Sequence, residues 1–594
     1  MSGPRRPGSP RAGSRSETTP AAPDRSPGEP EALPSAAPQS ESTVLSEAVE
    51  KPDSSPRPDR ESARSVWRDG RGWPYAAGLL ALLAFAPLYL SSGAGEAALP
   101  LPDARDAERF FFEPHQSSPA LVLLIAAWLG WRRKDRLLAS PPRSAPVAAG
   151  ASFAAALAFG VWARLNEAPD LLVFSLIAST AGFALASRGW AGARVLGAPL
   201  IALLFALPIP GRLQNEIIWS LQLWSATSAH GLLELFGIEV ARNGLFMSQG
   251  DSGFLVIESC SGFRSLHILL LVALVLRDLV ELRRLSFVLF LATPIVALGL
   301  NAVRIAWIVW TDPGNASTEG HVGQGLTILL VGSGLLFALA VGLSRADRTA
   351  PERDAPHTPP SDPAASSSRP APSSSVWASL TGVLALLCII QLTISPWSAP
   401  GRTRIPIEAS FADRGGWTGE DVASDRIFIG SVSVGRMRHR RMTHPGSRAA
   451  PRAGLREMSP GVVEVFVALE SSQYPRWSPF SDLLLLPARD WGLRQTQSRQ
   501  DWRLQRPLDE AIAVRGSQTA LVRLWRIRDP GVLVESLRSL LALERGPFER
   551  PHDRAVIRLV TPLELNAAPA LRDAQQRLDQ FVIDFGEDFD RIEG

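Results

Sequence analysis

Nine stretches of this chain, at residues 74–91, 119–131, 146–163, 171–187, 193–209, 263–280, 285–310, 325–343 and 376–394, are long, apolar and nearly free of charge. A bilayer crossing takes about 17–25 such residues, and in hydrocarbon the backbone has no partner but itself, so each crossing must coil into a helix. The chain therefore reads as an all-α polytopic membrane helical bundle. The run at 119–131 is short and Arg194 sits at the edge of the run at 193–209, so the expected number of crossings is about eight or nine. Of the 594 residues 46% are hydrophobic and only 20% charged, which leaves room for a soluble part as well.

That soluble part lies at the carboxy-terminal end. Residues 395–594 are mixed in polarity, and the alternating or β-branched segments VVEVFVAL (462–469) and AVIRLVTPL (555–563) predict strands, giving a soluble α+β domain. Residues 1–72 and 346–375 are rich in Pro, Ser, Ala and Arg and poor in aromatic and β-branched residues, so they cannot bury enough surface to fold and read as a disordered tail and a disordered linker. Between them, 73–345 forms the main membrane domain; after the linker, 376–394 adds one more helix. The first crossing is expected to serve as the membrane-targeting signal.

The net charge of +3 does not point to nucleic acid. Nearly all the basic residues are arginine, with Lys51 and Lys134 the only lysines, and they gather at the ends of the apolar runs. Basic residues beside a crossing resist translocation and mark the cytoplasmic side. Arg64, Arg68 and Arg71 put the amino terminus inside, and WRRKDR (131–136), Arg188, Arg194, RDLVELRR (277–284) and SRADR (344–348) follow runs two, four, six and eight, the same side. Loops 92–118, 164–170, 210–262 and 311–324 are then external, as is the carboxy-terminal domain.

This topology brings three polar residues to one membrane depth. Cys260, in ESCSGFRSLH, precedes the sixth run at its external end; Arg304, in LNAVRIAW, lies near the external end of the seventh; His321, in TEGHVGQG, lies in the external loop before the eighth. A thiolate is a strong nucleophile, but a free thiol is mostly protonated at neutral pH and needs a base or a positive charge beside it. His321 can exchange the proton, and Arg304 can stabilise a thiolate or the oxyanion of a tetrahedral intermediate. An arginine about six residues inside a crossing, roughly 9 Å deep, is costly unless it faces a partner or a polar cavity. Asn301, one turn earlier on that helix, could orient it.

Plainer readings stand beside these. A membrane cysteine is commonly a small packing residue, as Cys388 reads, whereas Cys260 is surrounded by Glu258, Ser259, Ser261, Gly262 and Arg264. Arg304 could snorkel to the interface, and a disulfide between the two cysteines is disfavoured by their different depths. His115, His230 and His267 are rival bases, His267 being two turns along the helix from Cys260. His439 and His444 are too few for a metal site, and nothing calls for a cofactor.

At these residues the chain resembles the exosortase/archaeosortase family of membrane-embedded cysteine transpeptidases. The likeness lies in C-S-G-x-R-S at Cys260–Ser265, N-x-x-R at Asn301–Arg304 and G-H-x-G at His321, with LPIPGRLQNEI (207–217) and GIEVARNG (237–244) upstream, and covers about residues 75–345. The resemblance implies an enzyme of a bacterial inner membrane, its site and carboxy-terminal domain periplasmic. It would cleave PEP-CTERM-like carboxy-terminal sorting signals (a short motif, a membrane helix and a basic cluster) on exported proteins and transfer the new end to a cell-surface acceptor. Cys260 is then the nucleophile, Arg304 the electrostatic stabiliser and His321 the general base and acid, supported by Asn301, Ser261, Gly262 and Arg264; exported proteins and the lipid environment are its partners, and nucleic acid is not. Residues 395–594 look like the accessory domain found near exopolysaccharide operons, through GGWTGEDV (415–422) and ARDWGL (488–493), but THPGS (443–447) lacks the cysteine of that domain's His-Pro-x-x-Cys-like element, which leaves it a substrate-binding or assembly role. Two other classes stay open on sequence grounds: a non-enzymatic exopolysaccharide assembly or transport component, in which Cys260 is incidental, and a cysteine acyltransferase that takes lipid donors.

Overall fold

Each of the nine apolar runs contributes helix in the computed structural model. It describes residues 73–90, 119–250, 252–282, 284–311, 318–349, 372–397, 407, 410–423, 436–444, 461–469, 478–488, 490–503, 505–544, 546–548, 552–563 and 570–593. The expected amino-terminal tail, most of the expected linker and His115 lie outside them.

The helices are α1 (Trp73–Ala84), α2 (Pro119–Arg132), α3 (Pro146–Leu165), α4 (Leu172–Val195), α5 (Gly197–Leu204), α6 (Gly211–Leu235), α7 (Phe263–Leu279), α8 (Ser286–Thr311), α9 (Thr318–Thr349) and α10 (Ser374–Thr393). Among the described residues five helices are long and apolar enough to cross a bilayer, at Pro146–Leu165, Pro169–Val195, Ser286–Thr311, Gly325–Arg348 and Ser374–Thr393; α1 and most of α2 are apolar but shorter. The protein is a multi-pass membrane protein. One group of helices, α1 to α5 with α10, shares a core that includes Phe85, Leu129, Leu172, Leu203 and Leu387. A second, α7 to α9, closes around Leu269, Leu289, Leu336 and Ala340.

Two segments differ from the sequence reading. The run at 193–209 begins in the last turn of α4, and its own helix, α5, has only eight residues, about 12 Å of rise. The chain still passes from one end of the bundle to the other within it: the Val195 carbonyl is held by Arg133, while Leu207 and Pro208 line a cleft with Asp170 and Leu171. Enclosed by neighbouring helices, this segment need not satisfy its whole backbone by coiling. Upstream, α4 is kinked at Gly189, whose φ is 60° and where a Cβ would collide with the Arg143 carbonyl oxygen.

The second difference is larger. Residues 210–262, expected as an external loop, hold the 25-residue α6 and a three-stranded antiparallel sheet of β1 (Ala241–Asn243), β2 (Phe246–Gln249) and β3 (Ser252–Leu255). The buried positions of α6 include Ile218, Gln222, Ser225, Ala226, Ala229 and Leu233. They recur every three or four residues, as one helical face does. That face carries polar groups and small residues rather than a continuous apolar run, so hydropathy alone does not show it.

The basic segments meet at one end of the bundle. Arg133 Nε donates to Asp278 Oδ1 at 2.6 Å and its Nη1 to the Val195 carbonyl at 2.6 Å. Arg132 is 3.6 Å from Asp278, Arg136 pairs with Glu281, and Arg188 Nη1 donates to the Ser140 carbonyl at 3.1 Å. The Arg284 amide donates to Asp347 at the foot of α9. Asp278 is 4% exposed, and burying an acidic side chain is costly unless cations stand beside it, as Arg132 and Arg133 do here. Cys260 precedes the opposite end of α7, 17 residues away, which is about 25 Å.

The carboxy-terminal region is β-rich. Strands β4 (Thr418–Asp421), β5 (Arg436–Thr443), β6 (Val462–Leu469), β7 (Gly492–Gln500), β8 (Pro507–Arg515), β9 (Gln518–Ile527) and β10 (Ala555–Pro562) form one antiparallel sheet in the order β4-β5-β6-β10-β9-β8-β7. Both predicted strands, β6 and β10, lie at its centre. Helix α11 (Val532–Leu540) connects β9 and β10, and α12 (Ala570–Asp584) and α13 (Gly586–Glu593) follow. Side chains alternate along β6. Val463, Val465, Val467 and Leu469 join Phe411, Phe581, Phe585 and Phe589 on one face, while Phe466 and Ala468 join the core that contains Cys260 on the other.

Candidate active site

Cys260 ends a short 3-10 turn, Glu258–Cys260, and Gly262 opens α7 with φ at 77°. L-residues with a side chain are strained there. A second constraint also excludes one: a Cβ on Gly262 would lie 2.9 Å from Asn301 Cγ and 3.0 Å from its Nδ2. The glycine gives Asn301 room to reach the turn. Between them Ser261 Oγ accepts from the Phe263 amide at 3.3 Å.

Asn301 lies on α8 and is 1% exposed. Its Nδ2 donates to the Cys260 carbonyl at 2.7 Å and to Ser225 Oγ at 3.0 Å. Ser225, on α6, donates in turn to the Ser261 carbonyl at 3.4 Å, and Gln222 on the same face donates to the Val256 carbonyl at 2.9 Å. Three elements, α6, α8 and the start of α7, thus hold the cysteine backbone through buried polar contacts. Such a network has high stakes, since any member left unpaired in a low dielectric is costly. The sequence reading gives Asn301 the role of orienting Arg304; its amide nitrogen donates both its hydrogens to the cysteine turn and Ser225, a second role that the sequence reading does not give it. It also missed Ser225 and Gln222, whose signal was the three-to-four-residue recurrence on α6.

Arg304 lies three residues beyond Asn301 and is half-buried, within one turn of the residue that binds the Cys260 carbonyl. Its neighbour Ile305 shares the core of Cys260, which is 1% exposed. His321 differs from its predicted setting. It lies in the first turn of α9 rather than in a loop, the helix starting at Thr318 and running through the glycines that suggested a break; its side chain falls outside the described residues. Arg264 is exposed. His230 Nε2 contacts the Val240 carbonyl at 2.9 Å, tying α6 to the start of β1, and the His267 ring stacks on Phe205 at 5.1 Å. Both rival bases have structural employment. Neither Cys260 nor Cys388 is in a disulfide, and Cys388 packs half-buried among the helices around α10.

The carboxy-terminal region reaches the cysteine end. Asn215 of α6 donates to the carbonyls of Ser478 and Phe480, each at 3.1 Å. Arg212 stands 5.5 Å over the Phe480 ring and 3.5 Å from Asp529, and Arg554 faces the same ring at 5.6 Å. Asn243 donates to the Val514 carbonyl at 2.5 Å. One apolar core runs from Cys260, Ile305 and Val309 through Leu483–Leu486 and Trp491 into the sheet. Arg558, fully buried beneath it, donates to the Leu486 carbonyl at 2.6 Å, and burial pulls its guanidinium down to about 10 although the nearby Glu464 charge opposes the shift.

No curated protein and no solved structure matches the chain. Residues 111–340, which contain the cysteine turn, Asn301, Arg304 and His321, match the family model described as transmembrane exosortase. The membrane-length helices within the matched segment accord with a transmembrane family, and residues 111–340 of this chain are similar to the transmembrane exosortases.

Proposed function

We propose that the protein is a membrane-embedded cysteine peptidase and transpeptidase that cleaves carboxy-terminal sorting signals of exported proteins. The observation that carries this reading is the tie from Asn301 to the Cys260 carbonyl at 2.7 Å. It fixes the backbone beside a buried thiol at the bundle end remote from the arginine clusters. Taking the arginine-rich end as cytoplasmic puts Cys260 at the outer face of a bacterial inner membrane. An exported protein whose last segment is a membrane helix would present its scissile peptide at that level.

Cys260 acts as nucleophile. His321 takes the thiol proton as Sγ attacks the scissile carbonyl carbon, Arg304 stabilises the oxyanion, and collapse expels the amine with the proton returned by His321. The acyl group remains on Cys260 as a thioester, which an acceptor amine or hydroxyl at the cell surface resolves, regenerating the thiol. The carboxy-terminal domain covers the same end and contributes to substrate binding.

The test is processing of a co-expressed exported protein ending in motif, apolar helix and basic cluster. Cys260→Ser should abolish cleavage at unchanged protein level, and alanine at Arg304 or His321 should lower turnover by about 10²–10⁴. Unchanged processing by Cys260→Ser would overturn the assignment.

A further inference from the structure

Helix α11 is built inside out. Leu533, Val534, Leu537 and the following Leu541 are 71%, 49%, 49% and 41% exposed, at spacings that put them on one side of the helix. Its polar residues point inward: Glu535 is 3% exposed and stands 2.6 Å from Arg554, itself 3% exposed, while Ser539 is 9% exposed. Arg538 is turned along the helix end, donating to Glu544 at 2.7 Å and to the Leu543 carbonyl at 2.6 Å. A helix on a water-facing domain has the reverse arrangement.

The position of this face identifies what covers it. Trp162, in the last turn of α3, donates its indole N–H to the Leu541 carbonyl at 2.8 Å and packs on Phe548 with ring centroids 5.5 Å apart. Trp397, just beyond α10, lies 6.0 Å from Phe548 and 5.9 Å from Trp162, and its amide donates to the Leu165 carbonyl at 2.9 Å. The outward leucines are therefore continuous with a tryptophan cluster at the ends of two membrane-length helices. Tryptophan gathers at the level of lipid headgroups, and an amphipathic helix there lies with its apolar side in the headgroup–acyl boundary. We propose that α11, with Leu541 and Phe548, is an interfacial membrane anchor that seats the carboxy-terminal domain on the lipid surface, its occupant being the bilayer itself.

The unmodified full chain, reconstituted in phosphatidylcholine nanodiscs doped with a lipid bearing a diazirine high on its acyl chain, is photolysed and the adducts are mapped by mass spectrometry. The anchor predicts adducts on 532–541 and Phe548 as well as on α3 and α10, and none on the exposed strand β7. Leu533→Glu together with Leu537→Glu should reduce the 532–541 adducts at least fivefold while those on α3 and α10 persist. Adducts on α3 and α10 with none on 532–541 overturn the proposal, whether that face then proves open to water or cross-links to a second copy. This outcome does not depend on whether Cys260 is a nucleophile.

Discussion

Asn301 donates to the Cys260 carbonyl from 41 residues away in sequence, and the same amide nitrogen holds Ser225 of a third helix. The cysteine is thus positioned by a side chain that need not touch the reacting atoms.

Replacing that side chain separates positioning from folding. Asn301→Leu leaves a buried carbonyl and a buried hydroxyl without their donor, a loss of about 1–3 kcal/mol. The detergent-solubilised protein should unfold at a measurably lower temperature. Because a displacement of about 1 Å can reduce rate roughly 10²-fold, processing should fall far more than the amount of folded protein. Equal losses of both would mean that Asn301 is structural only.

Gly262 and Gly299 form a matched pair. Gly262→Ala meets a positive φ and a contact at 2.9 Å with Asn301; the left-handed backbone alone costs about 1–2 kcal/mol, and processing should be largely lost. Gly299→Ala, on α8 with nothing near its Cβ, should be neutral or slightly stabilising in a helix interior, by about 1 kcal/mol or less. Thermal unfolding and processing of the two variants, measured side by side, check the contrast.

Docking of the carboxy-terminal domain should control access to the thiol. Arg212→Gln with Asn215→Leu removes the contacts to Asp529, Ser478 and Phe480 without altering the sheet's own residues. In a Cys388→Ala background, alkylation of Cys260 by a maleimide should accelerate about tenfold, the equivalent of losing a little over 1 kcal/mol of docking energy. An unchanged rate would show that the domain does not shield the cysteine.

Acid should loosen the sheet through Glu464. Burial raises its carboxyl, but the neighbouring His439, 3.8 Å away, and the Arg441 guanidinium, which donates to it at 2.8 and 3.0 Å, outweigh that and hold it below the ordinary value of 4.5. A carboxyl depressed in the folded state stabilises fully above its unfolded pKa and loses that contribution as pH falls through the folded one. Thermal unfolding of the full chain should therefore drop from pH 5 downward, and Glu464→Gln should flatten the drop while lowering stability at pH 7.

The helices were legible because lipid leaves an apolar backbone no alternative, and β6 and β10 because their β-branched runs are short and bounded by turns. Cys260, Asn301 and Arg304 could be brought to one depth by counting crossings alone. Their actual linkage could not, since it depends on Ser225 in a helix whose buried face mixes Gln222 and Ser225 with alanines and so lacks a hydropathy signal. The glycines around His321 suggested a loop, yet none of them needs to break a helix. Arg212 and Asn215 fall in the expected external loop 210–262, within LPIPGRLQNEI, where nothing in the sequence marks a docking contact. Only the tertiary fold sets them against Phe480.

The seven-stranded sheet has one further consequence. Its Phe581 and Phe589 side is sealed by its own helices, but its other side shares a core with Ile305, Val309 and Cys260. Separated from the bundle, the carboxy-terminal domain would present Leu484, Leu486 and Trp491 to water; such a surface drives association. The two parts are obligate companions, made to be synthesised in one polypeptide so that neither is ever without the other's cover.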